Sequence, residues 1–321
     1  MKTLEEVISI VQNEVKEINY LGEPKELYEP MNYVLQLGGK RLRPVTVLLA
    51  ANLFSDNISL AIPAAKAIEV FHNFTLVHDD IMDDAPLRRG KQTVHEKWND
   101  NIAILSGDSL LIKSYVHFLE GNYKNLIEIL STFNTTAIEV CEGQQLDMNY
   151  ETRSDVTIDD YIKMIRLKTS VLLGGAMKIG ALLAESNSAD AEHLYDFGVN
   201  IGLAFQLQDD YLDCFGDPEK FGKQIGGDII SNKKTFMMLK ALELDNSGEL
   251  NKWIEKESFN SIEKVVAVKA LYKTLKVDDL ASELMDEYYS KGLESLAAIS
   301  INDEKKIMLK SFAAQLMKRS S

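Results

Sequence analysis

The sequence predicts an all-α fold, and three observations carry that prediction. Apolar residues recur at the 3.6-residue period of a helix with one buried stripe. Proline and glycine are sparse, 6 and 18 in 321 residues, so long helices meet few interruptions. No segment alternates strongly with the two-residue period of a half-buried strand.

The elements follow in order. Residues 2–19 place Leu4, Val7, Ile8, Val11, Val15 and Ile18 on one stripe. A loop at "LGEPKE" leads into a helix through "MNYVLQL", which Gly38-Gly39 stops. The next helix begins near Pro44, a residue that suits a first turn. Pro63 opens "AAKAIEVFHNFTLVHDDIMDD", which ends before Pro86 because a residue preceding proline avoids the helical region. Further helices are predicted over 100–119, 122–143, 159–183, 188–215, 232–245, 260–275, 277–297 and 303–318. The stretch 214–228 is the one long loop rich in glycine. With no Gly/Ser or Pro-rich linker to divide the chain, residues 1–321 are expected to form a single domain.

Composition narrows the function classes. Acidic residues exceed basic ones by 49 to 35, a formal charge of −14, which argues against a nucleic-acid binder. Cys141 and Cys214 form no metal or disulfide pattern, so a reducing cytoplasm is expected and both read as small buried hydrophobes. The N-terminal helix carries acids throughout, unlike a signal peptide. The longest apolar stretch, 170–184, is too short to span a bilayer and reads as a core helix, so no membrane span is expected.

The chemistry sits in two acidic motifs, "HDDIMDDAPLRR" at 78–89 and "QDDYLD" at 208–213. Residues four apart share a helix face, so Asp79 stacks with Asp83, Asp80 with Asp84, and Asp209 with Asp213. Like charges at that spacing cost about 0.2–0.5 kcal/mol per pair unless something offsets them. A hard divalent cation does so, and Mg²⁺ characteristically bridges a few carboxylates to substrate phosphates. Solvated acidic pairs are common, but two matching D-D-x-x-D motifs with mostly apolar flanks make that reading poor. The EF-hand spacing is absent.

Cations complete the pattern. "GGKRLRP" (38–44) packs Lys40, Arg41 and Arg43 behind two glycines, and Arg88 and Arg89 follow the first acidic cluster. Lys168, Lys223, Lys233 and Lys234 are further candidates. Arginine's planar fork and lysine's mobile charge both suit phosphate oxygens. Two anion sites result, one acidic and metal-bridged, the other basic and metal-free. There is no Walker-type phosphate loop and no G-x-S-x-G turn. "VHEKWN" opens like a zinc-protease helix but lacks its second histidine, so His95 is expected to be structural.

With "GGKRLRP", "DDIMDDAPLRRG", "KT" at 168–169, "FQLQDDYLD" and "GGDI" at 226–229 in this order, the chain resembles a trans-isoprenyl diphosphate synthase from about residue 25 to 300. That resemblance implies about ten core helices around a central apolar cavity, in a homodimer. It implies Mg²⁺-dependent head-to-tail condensation of isopentenyl diphosphate with an allylic diphosphate, with three ions per substrate-bound site. Asp79, Asp80 and Asp83 match the first metal-binding set, and Asp209, Asp210 and Asp213 the second. Lys40, Arg43, His72 and Arg89 match the isopentenyl diphosphate site. Arg88, Lys168, Thr169, Gln206, Lys223 and Lys233 match the surround of the allylic diphosphate. Asp84 has no assigned family role.

Phe74 stands five positions before Asp79, with Thr75 beside it and Phe71 deeper. A helical turn rises about 5.4 Å, close to one isoprenyl unit, so bulky residues there can act as a floor for the growing product. An aromatic at that position resembles short-chain synthases of the geranylgeranyl type. A C20 product is expected, C15 next, with a longer polyprenyl product open. A terpene cyclase is the nearest rival, but its second motif differs from "DDYLD" and it needs no second diphosphate site. A non-catalytic synthase subunit commonly lacks one acidic motif, and both are intact here.

Overall fold

The computed structural model describes residues 2–216 and 225–318 and is built of helices, as the periodicity predicts. The chain groups into two compact units. Among the described residues, the first comprises 2–134, 175–195 and 299–309; the second comprises 135–174, 196–216, 225–298 and 310–318.

In the first unit, α1 (Leu4–Lys16) starts on a capping box between Thr3 and Glu6, and buries Leu4, Val7, Val11 and Val15. After α2 (Lys25–Gln36) comes α3 (Leu42–Phe54), whose residues Pro44 to Leu53 are all buried. A helix apolar on every side belongs in the interior. Pro44 falls in its first turn, as expected. The long helix α4 (Ile62–Met82) has proline in its first turn and packs along α6 (Asp100–Glu120). Between them lie a hairpin, β1 (Leu87–Arg88) and β2 (Lys91–Gln92), and a single helical turn, α5 (Val94–Lys97). The hairpin was not legible by alternation because its strands are two residues long. Its turn is Arg89-Gly90, both with positive φ as a type I′ connection requires.

Helix α7 (Leu126–Thr152) extends nine residues beyond the predicted end at 143. The helix predicted over 159–183 is interrupted. It begins as α8 (Ile158–Ile165), capped by Thr157 and Asp160, passes through a π-helical turn at Arg166–Ser170, and resumes as α9 (Val171–Leu183). The Val171 N–H reaches back five residues to the Arg166 carbonyl. Such wide turns insert one residue into the helical register and recur at functional sites.

The second unit takes in α10 (Ser188–Phe215) from Asp196 onward. It continues through α11 (Gly227–Ile230), α12 (Phe236–Leu244), α13 (Glu249–Ile254), α14 (Ser261–Thr274) and α15 (Val277–Ala298). Helix α12 packs on both α8 and α15, burying Met237 and Met238. The last helix is α16 (Asp303–Met317).

Candidate active site

The first acidic motif sits where α4 ends. Asp83 closes the helix and its N–H donates to the Asp79 carbonyl at 2.9 Å, which keeps the two residues one turn apart. Asp84 departs from expectation. Its φ of 47° lies in the left-handed region, so the helix has ended and Asp84 does not stack on Asp80. Asp80 is buried, and Arg88 from β1 donates to its Oδ1 through Nε at 2.7 Å and Nη2 at 2.6 Å. The same Nη2 stands 3.7 Å from Asp79 Oδ2. Burial raises the Asp80 carboxyl above its ordinary range despite the arginine.

The basic cluster is assembled from the α2–α3 loop, the first turn of α3, the middle of α4 and the hairpin. Arg43 Nη1 donates to His72 Nε2 at 3.0 Å, which assigns the imidazole proton to Nδ1. Burial lowers the Arg43 guanidinium to about 10, and Arg89 adds to that lowering. His72 falls well below its usual value through burial and the charges of Arg43, Arg89, Arg88 and Arg41, so it is neutral at physiological pH. Arg89 donates to the Gly38 carbonyl and is lowered by burial and by Arg41. Gly39, at φ +124°, makes this approach possible: a Cβ there would lie 2.7 Å from Arg89 Cζ. Arg43 and Arg89 thus meet a histidine and a carbonyl rather than a carboxylate in these contacts, an arrangement with charge to offer an anion. Lys40 is exposed on the same loop.

Arg41 belongs to the scaffold instead. Its guanidinium turns inward to Glu69 of α4 and to the Leu35 carbonyl, and Glu69 also accepts from Asn73 Nδ2 at 2.9 Å. Glu69 and Asn73 lie outside the predicted set; the available signal was two polar residues four apart in an apolar helix. Glu69→Ala would strand the Arg41 charge, and its destabilisation is expected to be about 3–5 kcal/mol by urea unfolding. A loss under 1 kcal/mol would show that the pair anchors nothing.

The aromatic step below the motif is continuous. Phe74 meets His78 edge-on at 4.9 Å and Phe71 at 5.5 Å, and Phe71 meets Phe133 at 5.1 Å. Thr75 is half-buried, its hydroxyl donating to the His72 carbonyl at 2.8 Å.

In the second unit, α10 presents the other acidic motif. Asp210 is buried and engaged through both oxygens, by Tyr161 Oη at 2.5 Å and Gln206 Nε2 at 2.9 Å. Thr169 from the π turn donates to Gln206 Oε1 at 3.2 Å. Burial raises the Asp210 carboxyl, and Tyr161 is raised by burial and by Asp210. Asp213 Oδ2 accepts the Asp228 N–H at 3.0 Å. Asp228 is pushed up to about 7 by burial and by Asp210, Asp213 and Asp209, against the pull of Lys233. "GGDI" pointed to this region, but no role was attached to Asp228 itself.

Lys168, also on the π turn, pairs with Asp147 of α7 at 2.6 Å. Gly143 lets the two segments meet, since a Cβ there would lie 2.2 Å from the Lys168 nitrogen. Lys234 donates to the Glu151 carbonyl at 3.0 Å, and Lys233 is exposed at the end of α11. Lys223 lies outside the described residues. Each acidic cluster thus offers hard oxygen donors whose charge burial destabilises, a donor set that fits Mg²⁺.

The polyprenyl synthetase family model matches residues 24–275. The chain is 38% identical to the geranylgeranyl diphosphate synthase of Methanosarcina mazei, over 94% of this chain and 92% of that one. It is 36% identical to the geranylfarnesyl diphosphate synthase of Natronomonas pharaonis, over 97% and 95%. A solved geranylgeranyl pyrophosphate synthase superposes with a TM-score of 0.95 at 45% identity, covering all of both chains.

Proposed function

The chain belongs to the polyprenyl synthetase family and is a trans-prenyltransferase, and on that premise we propose that it condenses isopentenyl diphosphate with an allylic diphosphate to make geranylgeranyl diphosphate, C20, with Mg²⁺. The observation that carries this reading is the cationic cluster of Arg43, Arg88 and Arg89 around a neutral His72, beside an acidic motif. A cyclase has no use for a metal-free anion site of this kind.

Lys40, Arg43, His72 and Arg89 bind the isopentenyl diphosphate, His72 offering its Nδ1–H. Arg88, Lys168, Thr169, Gln206 and Lys233 bind the allylic diphosphate; Lys223 carries the same assignment from the sequence. Asp79, Asp80, Asp83, Asp209, Asp210 and Asp213 are the metal carboxylates, and residues 1–321 serve this one reaction. Because Asp210 already accepts from Tyr161 and Gln206, its part is to orient the motif more than to bind outright. Bound Mg²⁺ supplies positive charge that stabilises diphosphate as a leaving group. The arginines and lysines hold that charge as the allylic C–O bond breaks, and apolar residues such as Phe74 keep water from the carbocation. The departing diphosphate takes the final proton.

Purified protein incubated with isopentenyl and farnesyl diphosphates and Mg²⁺ is expected to yield, after dephosphorylation, geranylgeraniol by chromatography, and nothing when a chelator replaces the metal. Absence of any condensation product with Mg²⁺ would overturn the reading; a longer product would overturn only the chain length.

A homodimer in the cytoplasm completes the proposal. Among the described residues, α6 is the one helix long and apolar enough to cross a membrane, with 39% of its apolar window buried. Its exposed Leu105, Ile112, Val116 and Leu119 follow spacings of seven, four and three, the seam of a helix that packs on another helix. Ile112→Asp is expected to convert a dimer into monomers by sedimentation. A dimer that survives this change would place the interface elsewhere.

A further inference from the structure

Asp84, His95 and Glu96 lie outside every role assigned above, yet each brings one metal-ligating atom to within 4.8 Å of the others. His95 is the decisive member. It is 8% exposed, and both its ring nitrogens are buried without a hydrogen-bond partner. Its nearest charged oxygen, Glu96 Oε1, is 4.0 Å from Nε2, beyond hydrogen-bond reach. A buried imidazole almost always satisfies at least one nitrogen, so an unpartnered ring facing two carboxylates calls for a ligand.

We propose that Asp84, His95 and Glu96 form a binding site for a borderline divalent cation of the Zn²⁺ type, separate from the Mg²⁺ carboxylates. One imidazole nitrogen and two carboxylate oxygens are ordinary zinc donors, with water completing the fourth position. The nitrogen selects against Mg²⁺, which favours oxygen. The i+4 histidine of a zinc-protease helix is missing from this stretch. The third ligand comes instead from across the hairpin. Asp84 precedes β1, while His95 and Glu96 follow β2 on α5, so the ion would tie together the two ends of the loop that carries Arg88 and Arg89. An occupied site therefore restrains the loop that carries those arginines.

The site is tested by equilibrium dialysis of the full chain against Zn²⁺ in excess Mg²⁺, without prenyl substrates, so the outcome is independent of the proposed reaction. One Zn²⁺ per chain is expected. The affinity should fall at least tenfold in Glu96→Gln, whose exposed side chain makes misfolding no concern, and further in His95→Gln. Glu5→Gln, which removes an exposed acid from α1, should bind as the native chain does. Zn²⁺ should also raise the melting temperature of the native chain and not that of Glu96→Gln. No retained Zn²⁺, or retention equal in the native chain and both triad variants, would overturn the proposal.

Discussion

Asp80→Ala is expected to lower kcat for condensation by about 10³-fold or more while leaving a folded protein, because a carboxylate proposed to hold the cation that neutralises a departing diphosphate acts, through that cation, on the transition state above all. The variant removes two things together. One is the charge proposed to hold the metal; the other is the anchor for Arg88, which donates twice to Asp80 Oδ1. Asp80→Asn keeps an acceptor for Arg88 and removes the charge. If the metal role dominates, Asn and Ala should be equally inactive; if Arg88 positioning dominates, Asn should recover most of the rate. The Arg88 side chain retains 26% exposure and can turn to water, so the stability loss should stay near the ~1–3 kcal/mol of losing its charged hydrogen-bond partner. Turnover close to native with an unchanged Mg²⁺ requirement would remove Asp80 from the site.

Phe74→Ala is expected to change what is made more than how fast. Phe74 lies six residues before Asp80, about 9 Å along the α4 axis at the helical rise. Removing its ring opens roughly the space of one more isoprenyl unit. Phe71 and Phe133 remain behind it, in contact at 5.1 Å, as a second floor. The product should therefore lengthen by one unit, from the proposed C20 to C25, and Phe71→Ala combined with Phe74→Ala should lengthen it again. The cost in stability is about 3–5 kcal/mol for each deleted core ring that the surroundings do not refill, so unfolding must be followed alongside. An unaltered product distribution in a folded Phe74→Ala protein would relieve Phe74 of this role.

The sequence was most legible where chemistry is local. Helix starts marked by Pro44 and Pro63, the stop before Pro86 and the two aspartate motifs depend on residues a few positions apart. Besides the hairpin, three features were not legible, each for a physical reason. The π turn leaves apolar spacing nearly intact, so 159–183 reads as one helix although its register slips at Arg166–Ser170. Arg41 and Arg43 look equivalent two residues apart, and only the tertiary partner distinguishes them: Glu69 draws one inward, and His72 receives the other. Asp84 reads as a fifth-position repeat of Asp80, but a helix ends where its backbone leaves the helical region, and no carboxylate spacing reports that. Asp228 was half-visible, its glycines noticed and its charge passed over.

The wide turn ahead of Val171 has a last consequence. Lys168 and Thr169 both sit on it, aimed at Asp147 and Gln206 by a phase that a regular helix would not supply. Each residue advances a helix by about 100°. Deleting one residue there would heal the coil, improve its internal bonding, and swing both side chains away from their partners. If the two side chains bind substrate as proposed, the more regular helix would be the poorer catalyst.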